Sequence, residues 1–278
     1  MAKLGAAFML AGLATTVSLL LVRGFITQEL GMEAAGQFAA AWGITMTYVG
    51  FLLGAMAADY YPRLTEVIND RSAATRLMND QAQLGLAIGG PILLLLIGLA
   101  PWALELLYSA EFAPAAELLQ WQMVGNVFKL ASWPLAFSIV AAARSKTFFL
   151  MELSFNIVFL ALIWLLLPVL GLQVAAIAFL LGYVVYFATV NILVHILQGF
   201  RWRSLSLLLL LAHVILALSL LALARTAPQI AAIASVCLAL TTGLFGLRIV
   251  LLKIGPTGRV AARVASFYAM IGWPIQST

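Results

Sequence analysis

Long apolar stretches, separated by short polar ones, run through the whole chain. None of them alternates in the way a half-buried strand does, and each has the roughly 20 residues that a helix needs to cross about 30 Å of hydrocarbon. Backbone groups in lipid must be satisfied within their own segment, which favours helices. We therefore predict an all-α polytopic membrane protein with eight spans, at residues 4–22, 34–58, 79–99, 116–143, 146–167, 173–197, 205–224 and 229–252.

The composition agrees with a chain that lies mostly in lipid. Of its 278 residues, 64% are hydrophobic and 9% are charged, whereas soluble domains carry about 25% charged residues. The net charge is +5, but the basic residues are scattered between apolar stretches, which argues against a nucleic-acid surface. The single cysteine, Cys237, cannot form a disulfide within the chain.

The distribution of lysine and arginine predicts which ends of the spans face the cytoplasm, because cytoplasmic segments are enriched in these residues. With the N-terminus inside, the opposite side carries only Arg23 and Arg225. The cytoplasmic side then carries twelve, namely Lys3, Arg63, Arg71, Arg76, Arg144, Lys146, Arg201, Arg203, Arg248, Lys253, Arg259 and Arg263. We therefore expect both termini in the cytoplasm.

Lys129 belongs to neither side, because it lies near the centre of the fourth predicted span. A lysine there costs on the order of 3 kcal/mol, so it should face protein or water and have a partner. Gln122, Asn126 and Trp133 lie on the same helical stripe. This pattern favours a cation that receives an anionic substrate in a central cavity, with Gln122 and Asn126 as hydrogen-bond donors and Trp133 as an apolar wall.

The alternative for Lys129 is a structural ion pair, for which Glu152 in the fifth predicted span is the nearest-looking carboxylate. Glu152 and Asn156 are one helical turn apart and form a polar stripe of their own. Glu152 is a candidate either for a permanent counter-ion or for an ion-coupling group that carries a proton. Asp59 and Arg63, four residues apart where the second span meets the cytoplasm, predict a helix cap or an inner-gate salt bridge.

Two prolines interrupt predicted spans, in the stretches "GGP" at 89–91 and "SWP" at 132–134. Proline removes a backbone donor and kinks a helix, and the freed carbonyl is tolerated in a membrane only where protein or water covers it. Each break is interpreted as a packing kink or, alternatively, as a hinge beside a cavity.

The sequence contains no constellation typical of catalysis. His195 and His213 lie in different spans without a cysteine or carboxylate at ligand spacing, so we expect no metal site. The chain also lacks a Walker A sequence. We therefore expect no ATP hydrolysis, no cofactor and no enzymatic activity.

Three stretches, in this order, resemble the C-terminal part of one transporter family. They are "RGFITQELGMEAAGQFAAAWGI", "ADYYPRLTEV" and "LLQWQMVGNVFKLASWPLAF". The family comprises Wzx-type flippases of polysaccharide (O-antigen) repeat units, in the superfamily of MATE-like multidrug, oligosaccharidyl-lipid and polysaccharide exporters. The resemblance covers about residues 4–200.

Members of this family have two lobes of six helices around a central cavity, usually followed by two more helices. The resemblance implies that residues 1–200 form the second lobe, residues 201–252 two additional transmembrane helices, and residues 253–278 a basic interfacial tail. In the tail, residues 258–273 mix basic and apolar positions as a helix on the inner membrane surface does. The first lobe is then missing, and we expect the chain to be a fragment, with a separate first lobe or self-association as the alternatives.

The resemblance also implies a function, the translocation of undecaprenyl-pyrophosphate-linked oligosaccharides across the bacterial cytoplasmic (inner) membrane by alternating access. The expected partners are this anionic lipid-linked substrate, membrane lipids and the first lobe. One alternative is a MATE-like exporter of organic cations, for which an acidic cavity is more natural than Lys129. Another is an intramembrane polysaccharide ligase or polymerase, although no predicted loop exceeds about 20 residues. A third is a structural scaffold, in which Lys129 is paired and no cavity opens.

Overall fold

A computed structural model describes residues 2–255, 259–270 and 272–275. All regular elements in these ranges are helices, and seven of them are long and apolar enough to cross a membrane. The helices are α1 (Ala2–Val67), α2 (Arg71–Leu107), a 3₁₀ helix (Ala110–Ala115), α3 (Ala116–Ala141), α4 (Ser145–Leu170), α5 (Gln173–Gln198), α6 (Ser204–Thr226), α7 (Pro228–Ile254) and α8 (Arg259–Met270). The prediction of an all-α polytopic membrane protein is confirmed.

The first two predicted spans are joined in α1, which is interrupted at Gly31. Gly31 has φ 88° and ψ 175°, a conformation that a residue without a Cβ adopts readily. Thr15 and Met46, about equally far before and after Gly31, line the same cavity, so the chain folds back at this glycine. The eight predicted spans therefore correspond to seven helices, the first of which contains two segments, residues 2–30 and 32–67.

The turn before α2 is closed by an N-cap. The Asp70 side chain accepts hydrogen bonds from the backbone N–H of Ser72 at 2.9 Å and of Ala73 at 3.1 Å. These donors, Ala73 first and then Ser72, lower the pKa of the exposed Asp70 carboxyl. The cap satisfies two of the N–H groups that every helix start leaves free, and α2 accordingly begins eight residues before the predicted span.

The loops lie on two opposite faces of the helical bundle, as contacts between helix ends show. The basic face contains loops 68–70, 142–144 and 199–203, and the opposite face contains Gly31 and loops 108–115 and 171–172. On the basic face, Asp80 pairs with both Lys253 and Arg203. On the opposite face, Glu117 pairs with Arg225. These pairs agree with the sides assigned from the basic residues, while the cytoplasmic location of the basic face stays a prediction.

Neighbouring helices pack closely against α2 at the proline break of residues 89–91. A methyl group at Gly90 would overlap the ring of His213 in α6, and one at Gly246 in α7 would overlap the backbone of Ala87. Ala87 is the residue whose carbonyl loses its donor at Pro91. Glycines thus let α6 and α7 cover the irregular backbone of α2, which supports a packing kink at this position.

The C-terminal helix α8 is tied to α7 by aromatic residues. Tyr268 is fully buried, and its hydroxyl donates to the carbonyl of Leu244. Trp273 packs edge-on against Phe245, and Arg248 lies 4.8 Å from its ring centroid. The membrane-surface location of this tail stays a prediction, as does the division at residues 200 and 252. Residues 256–258, 271 and 276–278 of the tail lie outside the described residues.

Candidate functional site

A cavity of about 260 Å³ lies inside the helical bundle, between α1, α3, α4 and α5. Both segments of α1 contribute to it, as do the middle parts of the other three helices. Its lining consists of Thr15, Trp42, Met46, Lys129, Ser132, Trp133, Glu152, Phe155, Asn156, Tyr183 and Tyr186. The structure therefore brings together four of the residues singled out in the sequence, namely Lys129, Trp133, Glu152 and Asn156.

Lys129 occupies the middle of α3, roughly 20 Å from either end of the helix at 1.5 Å per residue. Its Nζ lies 5.3 Å from the centroid of the Tyr183 ring, within the range of a cation–π interaction. Among the residues that the structure describes, no carboxylate oxygen lies within 4.0 Å of Lys129 Nζ. Lys129 thus faces the cavity without a direct ion pair.

Glu152 and Asn156 form the polar wall that α4 contributes to the cavity. A carboxylate oxygen of Glu152 accepts a hydrogen bond from the Tyr186 hydroxyl at 2.6 Å. Asn156 Nδ2 donates to Thr15 Oγ1 at 3.2 Å and to the Glu152 carbonyl at 3.1 Å. Glu152 therefore has a donor of its own and shares the cavity with Lys129 without contacting it directly.

An aromatic cluster fixes the ring that lies beside Lys129. Tyr183 packs against Phe155, with ring centroids 4.4 Å apart, and against Phe179 at 4.8 Å. A methyl group at Gly182 would lie 2.9 Å from Phe155, so this glycine allows α4 and α5 to approach. Rings packed on several sides have little rotamer freedom, and the position of Tyr183 is consequently set by side chains of α4 and α5.

The break at residues 132–134 lies directly beside the cavity. Ser132 and Trp133 are part of the lining, and Trp133 packs against Phe137 at 4.5 Å and Tyr60 at 5.7 Å. The Tyr60 hydroxyl donates to the Pro134 carbonyl at 2.8 Å. Leu130, whose carbonyl loses its donor at Pro134, is buried. Protein therefore covers the irregular backbone, as a packing kink requires, and this backbone adjoins a cavity, as the hinge interpretation requires.

Gln122 and Asn126 are not part of the cavity lining. Both are fully buried, and Thr45 of α1 donates to Gln122 Oε1 at 2.6 Å, while Asn126 Nδ2 donates to the Gln122 carbonyl at 2.9 Å. Gln122 Nε2 and Asn126 Oδ1 have no hydrogen-bond partner among the described residues. In this conformation Gln122 bonds α1 and Asn126 bonds its own helix, so their role as substrate donors stays a prediction that requires a rearrangement.

Asp59 and Arg63 form an ion pair of 2.9 Å on the second segment of α1. Their side chains are 73% and 57% exposed, and they lie toward the basic face, outside the cavity lining. Exposed pairs one helical turn apart contribute only about 0.3–0.5 kcal/mol to stability. Their role as an inner gate stays a prediction.

Among the lining residues that were not singled out in the sequence, three contribute a hydroxyl group to the cavity. Tyr183 and Tyr186 come from the stretch "YVVY", three residues apart on one face of α5, and Thr15 lies in the first apolar run. Two tyrosines at this spacing in a span indicate a polar site, because a buried hydroxyl needs a hydrogen-bond partner. Thr15 carries no such signal, because a threonine in a helix commonly bonds the carbonyl four residues before it.

The residues thus define a polytopic membrane protein with an intramembrane cavity that contains one lysine and one carboxylate. No family model matches the chain, and no solved structure matches it significantly. Among curated proteins, it is similar to the lipid III flippases of Escherichia coli (strain K12) and of Shigella flexneri, each 24% identical over 186 residues. The match covers 65% of this chain and 44% of either relative.

The aligned region spans less than half the length of either relative. Three sequence motifs indicate a resemblance to flippases, and the similarity to curated lipid III flippases supports this class of protein. The particular type, a flippase of polysaccharide repeat units, is a proposal.

Proposed function

We propose that this chain forms one transmembrane lobe of a flippase that moves undecaprenyl-pyrophosphate-linked oligosaccharides from the inner to the outer leaflet of the bacterial cytoplasmic membrane. Its termini would lie in the cytoplasm. The similarity to lipid III flippases supports the class of transporter. The observation that carries the proposal is the cavity at mid-membrane, into which Lys129 projects without a carboxylate at ion-pair distance.

The charges of the cavity favour an anionic substrate. Glu152 is already hydrogen bonded by Tyr186, whereas Lys129 contacts the face of an aromatic ring. Lys129 therefore has unused hydrogen-bond donors, since an ammonium group has three, and an anion can accept from them where it cannot from the Glu152 carboxylate. A pyrophosphate supplies charged oxygens for these donors, and bonds between two charged groups are about twice as strong as neutral ones.

The physical task of such a protein is to keep a charged headgroup out of hydrocarbon. Transfer of an unpaired charge into an apolar medium is prohibitively costly, and a hydrated cavity with a fixed cation lowers this cost. The polyprenyl tail can meanwhile stay in the bilayer beside the exposed apolar faces of α1 and α4.

The size of the cavity indicates that this lobe does not enclose the substrate alone. Its volume of about 260 Å³ lies below the roughly 300–1,000 Å³ of typical small-molecule pockets, and an oligosaccharide is larger still. Alternating access in transporters built from repeats comes from rocking one half against the other around a central site. We therefore include in the proposal a first lobe that completes the cavity and the transport cycle.

Substitution of Lys129 tests the binding step on the purified chain. Binding of undecaprenyl pyrophosphate should exceed that of undecaprenol, and Lys129→Ala should weaken the diphosphate form about tenfold, as expected for loss of a charged hydrogen bond. Lys129→Arg should keep part of the affinity. Lys146→Ala, at an exposed lysine on the basic face, is the matched control and should bind like the wild type.

Transport itself requires the two lobes together. In a bacterium that lacks its own repeat-unit flippase, the chain should restore surface glycan only when it is expressed with a first lobe, and Lys129→Ala should abolish this restoration. Export at the wild-type level by the alanine variant, at equal membrane abundance, would refute the proposed role of Lys129.

A further inference from the structure

A second site lies on the basic face, where α5 ends and α6 begins. A groove of about 610 Å³ follows the last two turns of α5 and reaches the loop 199–203. It shares no lining residue with the cavity around Lys129. We infer that this groove binds an anionic phospholipid, with its phosphate at Arg201 and an acyl chain along Ile192 and Ile196. The inference does not depend on the proposed transport function.

The walls of the groove are apolar and lie on a helix that crosses the membrane. Ile192 and Ile196 are one helical turn apart on α5 and are 59% and 69% exposed, and Leu207 of α6 is 39% exposed on the other wall. Exposed branched side chains on a spanning helix face lipid tails. The groove therefore offers an acyl chain a shaped surface between two helices.

Trp202 forms the end of the groove nearest the loop, and its position is fixed. Its Nε1 donates to Asn191 Oδ1 at 2.6 Å, and its ring stacks on Phe187 with centroids 6.0 Å apart. Tryptophan is enriched at the level of lipid headgroups, where one part of the ring is apolar and the N–H is polar. This placement marks the boundary between the acyl and headgroup portions of a bound lipid.

Arg201 supplies the charge at the mouth of the groove. Its carbonyl accepts from Asn79 Nδ2 at 3.0 Å, and Asn79 Oδ1 accepts from the backbone N–H of Arg203 at 2.8 Å, so one side chain holds the loop at two points. Arg203 pairs with Asp80. Arg201, in contrast, has no carboxylate within 4.0 Å among residues 2–255, 259–270 and 272–275. An exposed guanidinium in a fixed loop is suited to bidentate contact with a phosphate.

His195 adds a second polar group beside the groove. Its Nδ1 lies 3.0 Å from the carbonyl oxygen of Phe200. A carbonyl can only accept, so Nδ1 carries the proton, and Nε2 of the neutral ring is left as an acceptor for a headgroup hydroxyl such as that of glycerol. The arginine at the end of an apolar groove matches a lipid with an anionic head better than it matches a neutral one.

Lipid binding to the purified chain tests this inference. Native mass spectrometry of the protein in detergent should detect retained phosphatidylglycerol in preference to phosphatidylcholine. Arg201→Ala should weaken phosphatidylglycerol binding about tenfold, the effect of one charge-assisted hydrogen bond. Arg144→Ala removes an exposed arginine from the same face without touching the groove and should leave the preference unchanged.

A substitution in the wall separates a lipid site from a simple phosphate site. Ile196→Trp fills the groove and should reduce phosphatidylglycerol binding, while glycerol phosphate, which has no acyl chain, should bind no more than weakly to any variant. The inference would be overturned by equal retention of both lipids, by equal effects of the two arginine variants, or by glycerol phosphate competing as strongly as the lipid.

Discussion

Glu152 lines the cavity without a direct contact to Lys129. It accepts from Tyr186 and shares the lining with Lys129, so a bound anion would meet both an attractive and a repulsive group. Glu152→Gln removes the negative charge and keeps an oxygen that can accept from Tyr186. We expect this variant to bind undecaprenyl pyrophosphate about fivefold more tightly, on the order of 1 kcal/mol for a partly solvated charge pair, measured by titration of the purified chain.

The matched control is Glu105→Gln, because Glu105 is an exposed carboxylate on the opposite face. It should leave the affinity unchanged. Unaltered affinity in Glu152→Gln would show that the carboxylate does not act on the bound anion. Weaker binding in that variant would instead assign Glu152 a direct contact with the substrate, which the counter-ion interpretation does not allow.

Individual polar residues differ in how far the sequence predicts their surroundings. Lys129 was identified because a charge at the centre of a span has few explanations. Gln122 and Asn126 share its stripe, yet neither lines the cavity, and Gln122 bonds α1 instead. A helical stripe specifies only one direction around α3. Because α3 packs against α1, α2, α5 and α6, the periodicity does not show which neighbouring helix faces the stripe. It also does not show where a cavity opens.

At the level of helices, the contact between α2 and α6 depends on the absence of a side chain at Gly90. A methyl group there would overlap the His213 ring, which is buried and held by a hydrogen bond of 2.8 Å to the Leu209 carbonyl. Gly90→Ala should therefore destabilise the protein by about 1–3 kcal/mol, the usual cost of overpacking. Thermal unfolding in detergent measures this loss.

Gly12→Ala is the matched control for this prediction, since nothing lies within 4 Å of a methyl group at that exposed position. It should be neutral or slightly stabilising, because alanine has a higher helix propensity than glycine. Adding His213→Ala to Gly90→Ala should recover part of the lost stability. An unchanged unfolding temperature in Gly90→Ala would mean that α2 and α6 separate at no cost.

The helices themselves were largely predictable, and their connections were not. Each of the last six predicted spans coincides with one of α2 to α7 to within about ten residues at either end, because apolar length alone defines a span. The reversal at Gly31 lies within the predicted loop of residues 23–33, but the sequence does not predict that a single glycine forms it. The sequence around it, "ELGMEAAG", favours helix on both sides, and only the positive φ of one glycine separates the two segments.

At the scale of the whole molecule, the two faces differ in charge, and this difference predicts the orientation of the protein in the membrane. The opposite face carries Glu105, Glu111 and Glu117, whereas the basic face carries the loop with Arg201 and Arg203. Short loops rich in arginine and lysine are retained in the cytoplasm. We therefore expect the basic face to be cytoplasmic and the turn at Gly31 to lie outside.

Single cysteines test both statements in one experiment, because the chain has only Cys237, which can be replaced by serine. In that background, Met32→Cys and Ala110→Cys place exposed thiols at the turn and at the opposite face, and Ser204→Cys places one at the basic face. A membrane-impermeant maleimide added to intact spheroplasts should label the first two, and it should label the third only after permeabilisation. Labelling of Met32→Cys together with Ser204→Cys would contradict the hairpin at Gly31, because α1 would then cross the membrane once. The reverse pattern for all three positions would keep the hairpin and invert the orientation, and the excess of arginine and lysine would then lie on the outer side of the membrane.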